Sequence, residues 1–266
     1  VIHFDYNRAL IRNDAVTMSR AALAFLLCCV LPAGTGSGAL AADKPSLRVL
    51  VVENAPPMSF RDELGHLTGF SVEIARAICS EMRVNCVFDA VKQGELLPLM
   101  SQGKADIAAA GLLDTPERRS RILFAGPYYR SISLWVARAG VSPGQAGVRV
   151  AVVGGSAQEA YGQKQGWPTV AVATHGELAA PLISGEAQAV LVPMITAINL
   201  QKNRAFRQLD LVTTVFQAPE LSGDASFGIS PYRPELQKEI NAALVRIKRN
   251  GTYDRINSRF LPFRVS

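Results

Sequence analysis

Ala105-Asp106-Ile107-Ala108-Ala109-Ala110, followed by Thr115-Pro116-Glu117-Arg118, is the stretch on which the fold turns. The first segment is a short apolar run behind Gly103 and reads as a buried strand. The second reads as a helix start. Thr115 sits at the N-cap, where its hydroxyl can accept an orphan amide. Pro116 sits at N1, where a missing N–H costs nothing, and Glu117 lies beside the positive end of the helix dipole. A strand running into a capped helix is half of a βαβ unit, and the neighbouring segments supply the rest. Upstream, Leu47–Val52 (LRVLVV) is a β-rich strand ended by Pro56-Pro57. Phe70, Ile74, Ile78 and Met82 fall four apart on one helix face, Cys86–Phe88 begins a second strand, and Leu96–Met100 suits a short helix ending at Gly103. Downstream, Val148–Val153 is a strand, Ser156 and Glu159 have capping-box spacing, and Val170–Ala173, Glu177–Ile183 and Ala189–Val192 continue as strand, helix, strand. Pro193 opens another helix. Pro231–Arg249 is a long helix stopped by Asn250-Gly251, and Tyr253–Phe260 adds a last turn or two. This alternation predicts an α/β chain with parallel, doubly wound sheets. A second series beginning after Ala139-Gly140 predicts two lobes. Residues 43–134 and 223–266 would form the first and 135–222 the second, with Gly140–Gly147 and Ser222-Gly223 as the crossings.

The N-terminus reads as an address. Arg20 precedes the apolar run Ala21–Leu31, and small residues follow as far as Ala39-Leu40-Ala41-Ala42. A basic start, a short apolar centre and an A-x-A site read as a secretory signal over residues 1–42. The apolar run is too short for a bilayer span of about 20 residues. Ala187–Leu200, the best later apolar stretch, is interrupted by Gln188 and Pro193. The chain is therefore expected in the periplasm. Its net charge of +6 becomes +5 once Arg8, Arg12, Arg20, Asp5 and Asp14 are removed with the leader. The basic excess is scattered, not gathered into a stripe, so nucleic acid is not an expected partner. Behind the leader stand two cysteines, Cys79 and Cys86, with two histidines, His66 and His175. An even cysteine pair in an exported chain reads as a disulfide, and the ligand set is too thin for a structural metal.

Catalytic patterns are sparse. Gly34-Thr35-Gly36-Ser37-Gly38 lies in the leader, and Gly154-Gly155 follows a strand without the three-glycine fingerprint or an acidic ribose partner. The helix start behind Gly154-Gly155 nevertheless offers free amides that attract an anion. His66 lies in a polar turn and His175 at a helix start, so surface or capping roles are expected for both. Arg118 is placed at N3 of a capped helix just past a parallel strand, where open α/β sheets bind ligands. It can grip a carboxylate there, or form a salt bridge to Glu117 or Asp114; the residues alone leave both open.

In this order the pieces resemble the polar amino-acid family of periplasmic solute-binding proteins, the extracellular family 3 of ABC importers. The resemblance spans Leu47 to about Phe260. It rests on Ala55-Pro56-Pro57-Met58-Ser59-Phe60, Leu67-Thr68-Gly69-Phe70 with Glu73-Ile74-Ala75, Gly103-Lys104-Ala105-Asp106-Ile107, Thr115-Pro116-Glu117-Arg118, Phe124 with Pro127-Tyr128-Tyr129, and Asn250-Gly251-Thr252-Tyr253-Asp254. The spacing of Cys79 and Cys86 looks like the disulfide of the histidine- and lysine/arginine/ornithine-binding members. The resemblance implies two α/β lobes of the type II periplasmic binding fold around a central cleft, hinge closure over a small polar or anionic ligand, and an inner-membrane ABC permease as partner. It implies no cofactor and no catalysis, and a monomer is expected. Arg118 falls where the family clamps a carboxylate, Gly111 and Leu113 where a backbone group and a Ser/Thr assist, and Ser156 and Ala157 at the second lobe's helix start.

The departures point away from an ordinary amino acid. Pro193 stands where α-amino-acid binders place an aspartate for the ammonium. Ala55 stands where Tyr is common, Met58 where Phe is, Gln93 where Trp often is, and Leu113 lacks a hydroxyl. A buried ammonium without a counter-charge is costly. A small organic anion, or a derivative whose nitrogen is absent or neutral, is therefore the expected guest, with Glu53 as a possible replacement amine partner. Two alternatives share the fold: an accessory binding module for a sensor or periplasmic dehydrogenase, and a cyclohexadienyl dehydratase-like enzyme.

Overall fold

The apolar runs of the sequence become the centres of two sheets. The computed structural model describes residues 46–265, so the leader expected over residues 1–42 lies outside the described residues. The chain enters through β1 (Ser46–Val52), a hairpin of β2 (Phe60–Arg61) and β3 (Leu67–Thr68), α1 (Phe70–Met82), β4 (Asn85–Val91), α2 (Gln93–Ser101), β5 (Ile107–Leu113), α3 (Pro116–Arg119) and β6 (Leu123–Ser131). It continues through β7 (Ser133–Ala137), β8 (Val150–Val153), α4 (Ala157–Lys164), β9 (Thr169–Val172), a 3-10 turn at His175–Glu177, α5 (Ala179–Ile183), β10 (Ala189–Pro193), α6 (Met194–Leu200), α7 (Arg204–Arg207) and β11 (Val212–Val215). A second 3-10 turn, Pro219–Leu221, leads into β12 (Gly223–Ile229), α8 (Glu235–Arg249) and α9 (Thr252–Phe260). Among the described residues the strands form a sheet of order β4-β1-β5-β12-β6 and another of order β11-β7-β10-β8-β9.

Neither sheet is wholly parallel, which corrects the expectation. β1 runs parallel to β4 and β5, and β8 parallel to β9 and β10. β12 is antiparallel to both β5 and β6, and β7 antiparallel to both β10 and β11. The two reversed strands are the ones that arrive from the other sheet. β7 follows β6 across Ile132, and β12 follows the Pro219–Leu221 turn across Ser222. A strand entering from across the cleft needs no crossover helix and so can lie antiparallel. Gly140–Gly147, expected as a crossing, instead joins β7 to β8 inside the second sheet. The two crossing segments are tied together: the Ser133 hydroxyl donates to the Leu221 carbonyl at 2.9 Å and accepts from Gln158 Nε2 at 3.0 Å.

Helices on both faces bury the sheets. Phe70, Ile74 and Ile78 of α1 pack with Leu236, Ile240, Leu244 and Ile247 of α8 and Tyr253 of α9 on one face of the first sheet. Leu96 and Met100 of α2 cover the other face with Leu50, Ala108 and Leu112. Each such side chain contributes roughly 1.5–3 kcal/mol by leaving water. Tyr128 stacks on Phe227 with ring centroids 4.4 Å apart, anchoring β6 to β12. In the second sheet Trp135 packs with Trp167 and Phe216. Cys79 and Cys86 are joined as a disulfide, tying the end of α1 to the start of β4.

Candidate functional site

The C-terminal ends of β1, β4, β5, β8, β9 and β10 all open on one cavity of about 60 Å³ between the sheets. This is where open α/β sheets leave backbone groups and helix starts free for a ligand. The first sheet's side contributes Ala55, Gln93, Gly111, Leu113 and Arg118; the second sheet's side contributes Ser156, Ala157 and Pro193. These eight residues, named from the sequence, therefore share a single lining. Met58, Ser59, Tyr129, Ser131, Gln158, His175, Ile195 and Thr196 complete much of the rest.

Arg118 is held by local folding rules. The Thr115 hydroxyl caps α3 by accepting the Arg118 amide at 3.3 Å, with Pro116 at the first helical position. This turns the guanidinium inward, where only 7 % of the residue is exposed. One nitrogen, Nη1, donates to the Leu113 carbonyl at 3.1 Å. Among the described residues no carboxylate lies within ion-pair distance of it. Asp114 is taken by Arg119, which binds it through two nitrogens at 2.6 and 2.7 Å. Glu117 is exposed and forms no ion pair with Arg118. Burial pushes the Arg118 guanidinium below its ordinary value, opposed by the nearby Glu117 charge. A buried cation with one carbonyl for company is an incomplete electrostatic arrangement, of the kind that a nearby anion can complete.

Gly111 bends β5 past the site in a left-handed conformation (φ +58°), and a Cβ there would overlap the Tyr129 hydroxyl. Burial and the neighbouring Tyr253 raise the Tyr129 phenol well above its ordinary value, so it stays protonated. Across the cavity, Ser156 caps α4 by accepting the Glu159 amide at 3.1 Å. The return bond of the expected capping box goes elsewhere: the Glu159 carboxylate accepts from Gly155 at 2.7 Å, one residue before the cap, because Ser156 N–H already donates to Val153. The sides also touch. Asn54 Nδ2 donates to Thr174 Oγ1 at 3.1 Å, its carbonyl accepts from the Gly176 amide at 3.0 Å, and Gly94 meets Gly155 backbone to backbone.

Residues 47–263 match the model of the bacterial extracellular solute-binding proteins, family 3. The chain belongs to that family. Among its curated relatives, the arginine-binding periplasmic protein of Mannheimia haemolytica is 28 % identical over 80 % of this chain and 90 % of the relative. The lysine/arginine/ornithine-binding periplasmic protein of Escherichia coli K12 is 27 % identical over 87 % and 93 %. An ancestral arginine-binding protein bound to arginine superposes with a TM-score of 0.72 at 26 % identity, over 82 % of this chain and 99 % of that one. An ancestral amino acid-binding protein described as a precursor of cyclohexadienyl dehydratase superposes at 0.69 and 25 % identity, over 81 % and 95 %. The relatives above are binding proteins named for amino acids. In this family 3 protein, no helix of the described residues is long and apolar enough to cross a membrane.

Two histidine expectations part ways. His66 is an exposed turn residue beside Asp62, as expected. His175 does begin a 3-10 turn, but the residue is also part of the cavity lining, with Nδ1 3.2 Å from Thr196 Oγ1. Glu53, considered as an amine partner, is exposed and lies outside the lining. Arg118 is the one ionised side chain in the lining, and no Asp or Glu is present there among the described residues. The sequence signal for His175 existed, namely its place just after a parallel strand. A single histidine after an unremarkable strand gave no hint of which way its ring turns.

Burial lowers the His175 imidazole from 6.5 to about 4. The unfolded chain then takes up the proton first, so stability is full above pH 6.5 and falls as the pH drops toward 4. This costs up to about 3 kcal/mol, less whatever solvent in the cleft screens. Urea unfolding at pH 7 and pH 4.5, compared between the parent and His175→Gln, should show a smaller acid loss in the variant. Equal losses would mean that the ring is solvated.

Proposed function

We propose that this family 3 protein is the periplasmic capture component of an ABC importer, closing on one small carboxylate-bearing solute. The observation that carries the reading is Arg118, a buried guanidinium without a carboxylate partner that opens on the cavity. The first turn of α4, at Ser156 and Ala157, supports the same charge from the facing side through its dipole. Arginine, for which several relatives are named, fits poorly. The cavity of about 60 Å³ has room for about five waters at roughly 10–15 Å³ each. A compact guest is accommodated, and a long cationic side chain meets no counter-charge. Capture is favoured over turnover by the titratable groups. Tyr129 is held protonated, His175 is held neutral, and neither is near the neutral pKa that proton transfer wants.

Thermal shift of the purified protein against small carboxylates, basic amino acids and neutral polyols tests this. A small carboxylate at 100 times its Kd should add about 2.7 kcal/mol of stability. Stabilisation by polyols or arginine, with none from small carboxylates, would sink the reading.

A further inference from the structure

We propose that the guest is a short monocarboxylate carrying an uncharged oxygen beside the carboxylate, a 2-hydroxy or 2-oxo acid, and that the His175–Thr196 pair selects for that oxygen. The inference rests on the carboxylate reading above and adds what is recognised besides the charge. Four features of the cavity lead to it.

The lining carries one cation and no anion among the described residues, so it can neutralise one carboxylate and nothing positive. An α-ammonium drawn in with that carboxylate would lose its water with no opposite charge to replace it. The volume limits the guest to a few heavy atoms beyond the carboxylate. The remaining polar groups of the second sheet's side are uncharged: Ser156, Gln158, His175 and Thr196.

Within that set His175 and Thr196 are paired with each other at 3.2 Å, which occupies Nδ1 and leaves Nε2 without a protein partner among the described residues. Thr196 is 6 % exposed and fixed on α6, so the ring is oriented before any guest arrives. A neutral imidazole has one donor and one acceptor nitrogen. If Thr196 donates to Nδ1, Nε2–H donates to the guest and suits either an oxo or a hydroxyl oxygen. If Nδ1–H donates to Thr196, Nε2 accepts, which suits a hydroxyl and not an oxo oxygen; an ammonium N–H can also donate to it, so in that tautomer the ammonium is disfavoured by the missing counter-charge alone. An ammonium cannot accept from Nε2–H, and a plain methylene leaves the nitrogen dry and unpaired. Burial keeps the ring uncharged across the neutral range, so it adds no second cation against Arg118.

Isothermal titration with four three-carbon acids of near-equal size tests the proposal: lactate, pyruvate, propionate and alanine. Lactate or pyruvate should bind at least ten-fold more tightly than propionate and alanine, and the ratio between those two tells whether Nε2 accepts or donates. His175→Phe should bring the tighter ligand down toward propionate, and Thr196→Val, which frees the ring without removing it, should lose part of the preference. Alanine or propionate binding as tightly as lactate and pyruvate overturns the inference and leaves the carboxylate reading standing. So does an unchanged preference in both variants. If none of the four acids binds while a neutral or cationic solute does, the carboxylate reading falls and this inference falls with it.

Discussion

Replacing Arg118 by Met should weaken carboxylate binding by two to four orders of magnitude while leaving the unliganded protein as stable as the parent or more so. The two halves of this result have one cause. Two charge-assisted bonds to a carboxylate are worth roughly 1.5–3 kcal/mol each, and ten-fold in affinity corresponds to about 1.4 kcal/mol. In the structure, with the two sides of the cleft in contact, the same guanidinium has a single carbonyl partner and no ion pair. Removing it therefore breaks no ion pair and one carbonyl bond, and an apolar side chain of similar length fills the space. Arg118→Lys should recover only part of the affinity, because a point charge cannot present two parallel donors. Calorimetric titration gives the first half and urea unfolding without ligand gives the second. Loss of 2 kcal/mol or more of unliganded stability in Arg118→Met would show a structural cation, and the carboxylate role would fail.

That Arg118 could be found in the sequence follows from how local its placement is. Threonine, proline and acid before it fix a helix start over four residues, and an apolar run before those fixes the strand whose end it occupies. The same holds for β1, α1, β8 and α8, whose periodicities are strong and whose bounds lie close to the expectation. β6, β11 and β12 were illegible for a physical reason. β6 contains Gly126-Pro127, β11 is exposed along its whole length, and β12 begins Gly223-Asp224. β6 and β12 are not strands by their own propensity; β11 is β-branched throughout but only four residues long and exposed, so it shows no buried face, and pairing between residues roughly a hundred positions apart leaves no local trace. The cavity divides in the same way. Arg118, Ser156 and Pro193 sit at helix starts written in capping and proline signals. Ser131, Gln158 and Thr196 enter from places where the sequence shows only polar residues among apolar ones. Direction of a side chain across a cleft is a tertiary property, and His175 is the clearest instance.

Gly155→Ala should hold the two sides of the cleft apart, and here the sequence reading and the geometry meet. Gly154-Gly155 follows a strand and opens a helix, without the three-glycine fingerprint of a phosphate loop. In the structure Gly155 has φ +76°, and a Cβ on it would overlap the backbone of Gly94 at the start of α2. The left-handed conformation alone costs an alanine about 1 kcal/mol. The overlap is worse, because both parties are main chain and neither can rotate away. Only separation of α2 from α4 relieves it, which also stretches the Asn54 bonds to Thr174 and Gly176. Since a ligand binds the closed form, apparent affinity falls with the closed fraction, and a 10- to 100-fold loss is expected for roughly 1.4–2.8 kcal/mol of hindered closure. Gly94→Ala is the matched control. Its Cβ would meet Gly154 O and Gly155 Cα at 3.8 Å, ordinary contact, and alanine suits a helix better than glycine by about 1 kcal/mol. It should bind like the parent and be slightly more stable. Small-angle scattering completes the comparison. Ligand should shrink the radius of gyration of the parent and of Gly94→Ala, and leave that of Gly155→Ala unchanged. If Gly155→Ala compacts and binds normally, the cleft closes by some other contact and the steric account of closure is wrong.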